Sequence, residues 1–329
     1  MVNVPCIQIQ SMLRLLSFLP ILLIQKNMKW LIAIFSFFLQ PPSLNAQQGS
    51  IVKNGTVPIY YKTFGSGKPI LLINGGPGMN SNGFDGIATM LSKNNLVITY
   101  DQRGTGRSVL PEINSHTISM KLMLEDIEVL RKHLDIDQWI ILGHSFGGML
   151  ASYYATIYPD HIEALILSSS GGIDLSLLSY VNTNIRKRLT RSDADSLDYW
   201  NNKIAAGDTS YQTRLGRGRA LAPAYLYNRK YIPVIAERLT QGNTDINNIV
   251  WADLRQMNFD CTAKLSSFYK PVLIIQGKND IIAEKTALQE QRVFRKSTLV
   301  LLDHSGHYGW LDNETGYLSA ISIFLSKLK

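Results

Sequence analysis

One pentapeptide restricts this chain more than any other: Gly143-His144-Ser145-Phe146-Gly147, set between the apolar run 139–142 and a helical pattern over 146–158 that Pro159 stops. At Gly and Ser frequencies near 7%, such a Gly-x-Ser-x-Gly recurs by chance in about one chain in ten. Its setting gives it weight. A serine at a sharp strand-to-helix turn needs small neighbours so that the two backbones do not collide, and Gly143, Gly147 and Gly148 supply them. The turn also presents the hydroxyl at a helix N-terminus, where developing negative charge is favoured. Ser145 is therefore the candidate nucleophile for acyl transfer.

Around this turn, short apolar runs alternate with helical spacing. Residues 57–64, 69–73, 96–100, 139–142 and 164–167 read as strands, and 120–134 has apolar residues at helical intervals. Continuous apolar strands separated by helices indicate a parallel sheet covered on both faces. The alternation stops near Gly171-Gly172, and 173–267 is helical and polar, with Arg186, Lys187, Arg188, Arg191, Arg214, Arg217 and Arg219. It resumes with strands over 271–276 and 298–302 and a helix over 316–328. The expected organisation is 1–46 targeting segment, 47–172 first part of the core, 173–267 helical cap and 268–329 second part of the core. An insertion above the strand ends would cover the site as a lid.

An acyl-transfer serine needs oxyanion donors, a base and a carboxylate to orient the base. The N–H of Phe146 is the first donor. The second is expected from Asn74-Gly75-Gly76-Pro77-Gly78, after an earlier strand. Pro77 has no N–H, so Gly76 is the choice, with Gly75 behind it. Asp280 follows the strand 271–276 and His307 follows the next, which gives the order serine, acid, histidine. His304 competes with His307, and Asp303 is an alternative acid, although it lies too close to His307 in sequence to come from a separate strand end. His144 is read as support for the site rather than as its base. Arg103, in the tight loop 101–108, is expected to pair with a carboxylate such as Asp101. Cys261 is expected to be a buried apolar residue. No His or Cys spacing suits a metal, so neither metal nor cofactor is expected.

Composition narrows the partners. The chain has 329 residues, 33 Lys and Arg against 25 Asp and Glu. Three of the bases, Arg14, Lys26 and Lys29, lie in the first 46 residues, which contain no acid, and 30 against 25 leaves +5. No basic stripe interleaved with aromatics is present, so no nucleic acid is expected. Met28-Lys29, the apolar run 30–39 and Ala46 before Gln47 fit a cleaved export signal. The alternative, prompted by the earlier apolar stretch 12–24, is a retained membrane anchor, the only membrane contact expected. The expected location is periplasmic or secreted.

Ser145 in its turn, the late Asp280 and His307, and the mid-chain insertion resemble the α/β-hydrolase fold, a mostly parallel twisted sheet flanked by helices with a helical lid. The resemblance covers essentially everything after residue 50. Asn74-Gly75-Gly76-Pro77-Gly78 is similar to the His-Gly-Gly-Pro-Gly loop of proline iminopeptidases, and 101–108, Asp-Gln-Arg-Gly-Thr-Gly-Arg-Ser, is similar to their Asp-Gln-Arg-Gly-x-Gly-x-Ser segment. The resemblance implies an aminopeptidase that releases N-terminal residues, often proline, from short peptides. Two departures stand against it. Asn74 replaces the histidine, and the family's Trp-x-x-Trp-Glu lid segment, whose acid would hold the substrate ammonium, is absent; Glu237, Asp253 and Asp260 are the remaining acids for that task. The lid's bases suit an anionic substrate equally well, or form a solvated helix surface. The alternative is a small carboxylic ester, thioester or lactone on the same triad. A binding protein that lost catalysis is the third reading.

Overall fold

The chain is described here by a computed structural model covering residues 48–328. The segment read as signal or anchor lies outside the described residues. Among those described, no helix is long and apolar enough to cross a membrane.

Eight strands form one sheet: β1 Gln48–Asn54, β2 Val57–Phe64, β3 Lys68–Ile73, β4 Asn95–Tyr100, β5 Trp139–His144, β6 Ile162–Ser168, β7 Val272–Gly277 and β8 Ser297–Leu302. Their order is β1-β2-β4-β3-β5-β6-β7-β8. The run from β4 to β8 is parallel, and β1 and β2 join it antiparallel at one edge. The strand β1 was not among those expected. Its signal is Gly55-Thr56, the two-residue loop of a hairpin in which Gly55 has φ +61°.

Because strand side chains alternate, each apolar run feeds two cores. Ile141, Leu165, Leu167 and Ile274 enter one, while Ile140, Leu142, Ile166 and Ile275 enter the other. Helices cover both faces: α1 Asp85–Leu91, α2 Met120–His133, α3 Phe146–Ile157, α10 Glu284–Val293, α11 Gly309–Asp312 and α12 Glu314–Leu325. Helix α2 shows the local logic. The Ser119 side chain accepts the Leu122 N–H at its start, and Arg131, Lys132 and His133 sit in its last turn, where cations favour the dipole. Met120, Met123, Leu124, Ile127 and Leu130 are its buried face.

Between β6 and β7 the chain forms α4 Val181–Arg188, α5 Arg191–Ala205, α6 Tyr211–Tyr225, α7 Ile232–Leu239, α8 Thr244–Gln256 and α9 Thr262–Leu265. The stretch between α6 and α7 is fastened to the segment that follows β8. The Asp312 carboxylate accepts the N–H groups of Tyr227 and Asn228 from one side and of Gly306 from the other.

Candidate active site

The loops that follow β3, β5, β7 and β8 leave the carboxyl ends of parallel strands, where open α/β sheets hold their ligands. β3 pairs with β5, and β7 with β8.

Ser145 joins β5 to α3 with φ 56° and ψ −120°, a conformation L-residues rarely adopt. Packing holds it there. A Cβ on Gly147 would lie 2.2 Å from the Ile73 carbonyl oxygen, and one on Gly143 would lie 2.3 Å from the Gly147 carbonyl oxygen. The Ser145 N–H donates to the Ser168 carbonyl, and its own carbonyl accepts from Gly148 and Gly171. Only a turn with glycine at both flanks fits.

His307 Nδ1 lies 2.8 Å from Asp280 Oδ1, and the Asp280 side chain is fully buried. The same Oδ1 accepts the Ile282 N–H at 3.0 Å, and Oδ2 accepts Gln276 Nε2 at 2.9 Å. Three donors thus fix the carboxylate. The two loops touch directly, since a Cβ on Gly277 would lie 2.2 Å from the Gly306 carbonyl oxygen. The His307 N–H donates to the Tyr225 carbonyl at 2.7 Å, tying the histidine to the end of α6.

The competitors lie elsewhere. His304 is exposed against Tyr227, and Asp303 is an exposed partner of Lys278. His144 is buried, with Nδ1 3.1 Å from the Ser168 carbonyl and its ring packed among Phe84, His307, Tyr308 and Trp310. Burial, reinforced by neighbouring His307, holds its pKa well below the ordinary histidine range, so it is neutral packing beneath the site.

Ser145, His307, Gly75, Gly76 and Phe146 line one cavity of about 410 Å³, a size ordinary for a small-molecule site. Neither the Gly76 nor the Phe146 N–H finds an acceptor among the described residues. The walls are mostly apolar, with Met149, Leu177, Val181, Ile185, Trp251 and Ile281. A second cavity of about 580 Å³ shares Gly76, Tyr225 and Asn247 with the first and carries Arg214 and Arg217. Arg255 lines the first. No Asp or Glu among the described residues lines either cavity. Glu237 is exposed and accepts the Tyr211 hydroxyl, Asp253 caps α2 through the Met120 N–H, and Asp260 accepts the Thr262 N–H. None of these three reaches the site.

One expected pairing is corrected. Arg103 binds Asp126 in a two-pronged contact of 2.7 and 2.6 Å, not Asp101. Asp101 joins two loops, accepting the Ser81 N–H and hydroxyl from the loop after β3 and the Arg107 N–H from its own. Asp126 comes from the buried face of α2, a partner that the loop sequence cannot reveal. Cys261 is buried and free, and burial pushes its thiol up to about 12. No three His, Cys, Asp or Glu side chains gather for a metal among the described residues.

Comparison with known proteins agrees with this architecture. Residues 68–314 match the family model described as alpha/beta hydrolase fold. Proline iminopeptidase of Heyndrickxia coagulans is 26% identical over 272 residues, covering 80% of this chain and 92% of the relative. That of Saccharolobus solfataricus is 27% identical over 299 residues, covering 87% and 94%. Among solved structures, an alpha/beta fold family hydrolase from Bacillus anthracis superposes with TM-score 0.70 at 19% identity, over 84% of this chain and 99% of the other. Proline iminopeptidase of Mycobacterium smegmatis gives TM-score 0.63 at 20% identity, over 85% and 98%. At these identities the solved structures speak for the fold alone.

Proposed function

Because this chain belongs to the α/β-hydrolase fold family, we propose that it hydrolyses a small acyl substrate through a covalent intermediate on Ser145. The observation that carries the reading is the Ser145 and His307 pair on one cavity wall, with His307 backed at 2.8 Å by the buried Asp280. His307 Nε2 takes the Ser145 proton as Oγ attacks the carbonyl carbon. Asp280 holds the Nδ1–H tautomer and stabilises the imidazolium. The Gly76 and Phe146 N–H groups receive the oxyanion. His307 then gives its proton to the leaving group, and water, deprotonated by the same imidazole, releases the acid.

The relatives suggest one substrate, the N-terminal proline of a short peptide. A specific observation favours a second class. Among the described residues no carboxylate lines either cavity to meet a free ammonium, whereas Arg255 lines the first and Arg214 and Arg217 the second. An unpaired cation taken out of water costs several kcal/mol. Small esters, thioesters or lactones place no charge there and suit the apolar wall. Proline p-nitroanilide assayed beside p-nitrophenyl acetate and butyrate separates the two. Turnover of the esters alone removes the aminopeptidase reading, and efficient release from the anilide removes the ester reading.

The segment before Gln47 supports a second proposal, that the mature enzyme is exported. N-terminal sequencing of the protein recovered from cells checks it: a start near Gln47 supports export, and an intact start at Met1 or Met28 counts against it.

A further inference from the structure

We propose that Arg238, together with Asn74, aims the Gly76 N–H at the oxyanion by anchoring the other end of the same peptide group. The proposal rests on the acyl-transfer reading above. The Gly75 carbonyl and the Gly76 N–H belong to one peptide, and no peptide among the described residues is cis. In a planar trans peptide the two groups point in opposite directions. Whatever fixes the Gly75 oxygen therefore fixes the direction of the Gly76 N–H. Arg238 Nη2 donates to that oxygen at 3.0 Å, and Asn74 Nδ2 donates to it at 3.1 Å.

An anchor is needed because the steric preferences of the peptide's own two residues supply none. Both residues flanking this peptide are glycines, and Gly76 sits at φ +74°. Without Cβ atoms, the flipped peptide is sterically almost as accessible as the observed one. A flip would turn the N–H away from Ser145.

Arg238 is built for the task. It is 3% exposed, at the end of α7, and no carboxylate pairs with it among the described residues. Its Nη1 donates to the Asn82 carbonyl at 2.8 Å and reaches the Asn80 carbonyl at 3.4 Å. Its guanidinium lies 4.4 Å from the Phe84 ring centroid. Asn74 Nδ2 also holds the Met79 carbonyl at 3.0 Å. A buried cation whose acceptors are the carbonyls of one loop fixes the shape of that loop. Arg238 comes from the helical insertion, so the oxyanion site is complete only with that helix seated. Asn74 stands where the resembled loop has histidine, and its amide supplies the second tether.

The test compares Arg238→Met and Arg238→Lys with wild type and Ser145→Ala. The readouts are hydrolysis of p-nitrophenyl acetate and inhibition by an alkyl trifluoromethyl ketone, whose tetrahedral adduct places an oxyanion in the site. Outright loss of one oxyanion donor lowers kcat by about 10²–10³-fold. A peptide that flips part of the time gives a loss of about 10- to 100-fold in kcat/KM, with inhibitor affinity falling by the same factor and KM little changed. Arg238→Lys recovers part of both. A folded Arg238→Met with wild-type kcat/KM, or a loss of activity with inhibitor affinity intact, overturns the proposal. If the arginine variants do not fold, Asn74→Ala decides: a smaller paired loss supports the proposal, and wild-type behaviour overturns it. Turnover retained by Ser145→Ala overturns the acyl-transfer reading itself. Its loss beside unaffected tether variants overturns only the present inference.

Discussion

Replacing Gly75 by alanine places one carbon between the oxyanion loop and the nucleophile. The new Cβ would lie 2.7 Å from the Ser145 Cβ, 3.0 Å from the His144 carbonyl oxygen and 3.1 Å from the His144 Cδ2. Carbon atoms in contact sit about 3.5–4.0 Å apart, so loop and serine must separate by about 1 Å. Gly75 is not in the left-handed region, so the clash alone is at issue. A misplacement of about 1 Å costs on the order of 10²-fold in rate, and overpacking costs about 1–3 kcal/mol in stability. The expected outcome is a folded enzyme with kcat/KM near one hundredth of wild type on p-nitrophenyl acetate, its fold followed by thermal denaturation. Gly86→Ala in α1 is the matched control. Its Cβ meets nothing within 4 Å, and a helical Gly-to-Ala change stabilises by roughly 0.5–1 kcal/mol, so activity is unchanged. A Gly75→Ala enzyme as active as the Gly86→Ala control would refute the claim that the two loops are in register to within an ångström.

Two further outcomes follow. In Asp280→Asn the amide must set an N–H against either His307 or the Gln276 donor, and Gln276 Nε2 is already held by the Gly277 and Ile282 carbonyls. Steady-state kinetics should show a loss of about 10⁴-fold, as when such a carboxylate is amidated in other triads; a loss below about tenfold would remove Asp280 from the site. Glu290 is buried, and burial, with Asp174 nearby, pushes its carboxyl up to about 8. The unfolded chain ionises near pH 4.5 and the folded one near 8, so the folded state binds more protons in that window. Stability therefore falls as pH rises from about 5 to about 8, by roughly 4–5 kcal/mol for this group. Glu290→Gln stays neutral and removes that slope, so thermal melts of the two proteins should diverge with rising pH; a constant difference across the window contradicts the assignment.

Much of the fold is legible in the sequence because its signals are local. The turn at Ser145 and the apolar strand runs each lie within a short segment, and the strand boundaries drawn from them differ from those observed by a residue or two at most positions. What the sequence hid was long-range. Asp126 is 23 residues from Arg103, and its burial depends on how α2 packs. Arg238 looks like any of the insertion's basic residues until the fold brings it onto the Gly75 carbonyl. The missing lid acid was visible as a departure from a motif, but only the cavity lining shows that no other carboxylate among the described residues replaces it.

In the proposed reaction Ser145 is a nucleophile activated by His307. A fluorophosphonate probe, with the labelled residue located by peptide mass spectrometry, tests it most directly. Covalent labelling is expected at Ser145 in the wild type, none in Ser145→Ala, labelling slowed by orders of magnitude in His307→Ala and near-normal labelling in His304→Ala. A folded wild type that takes up no probe, or takes it up at another residue, would rule out Ser145 as the nucleophile.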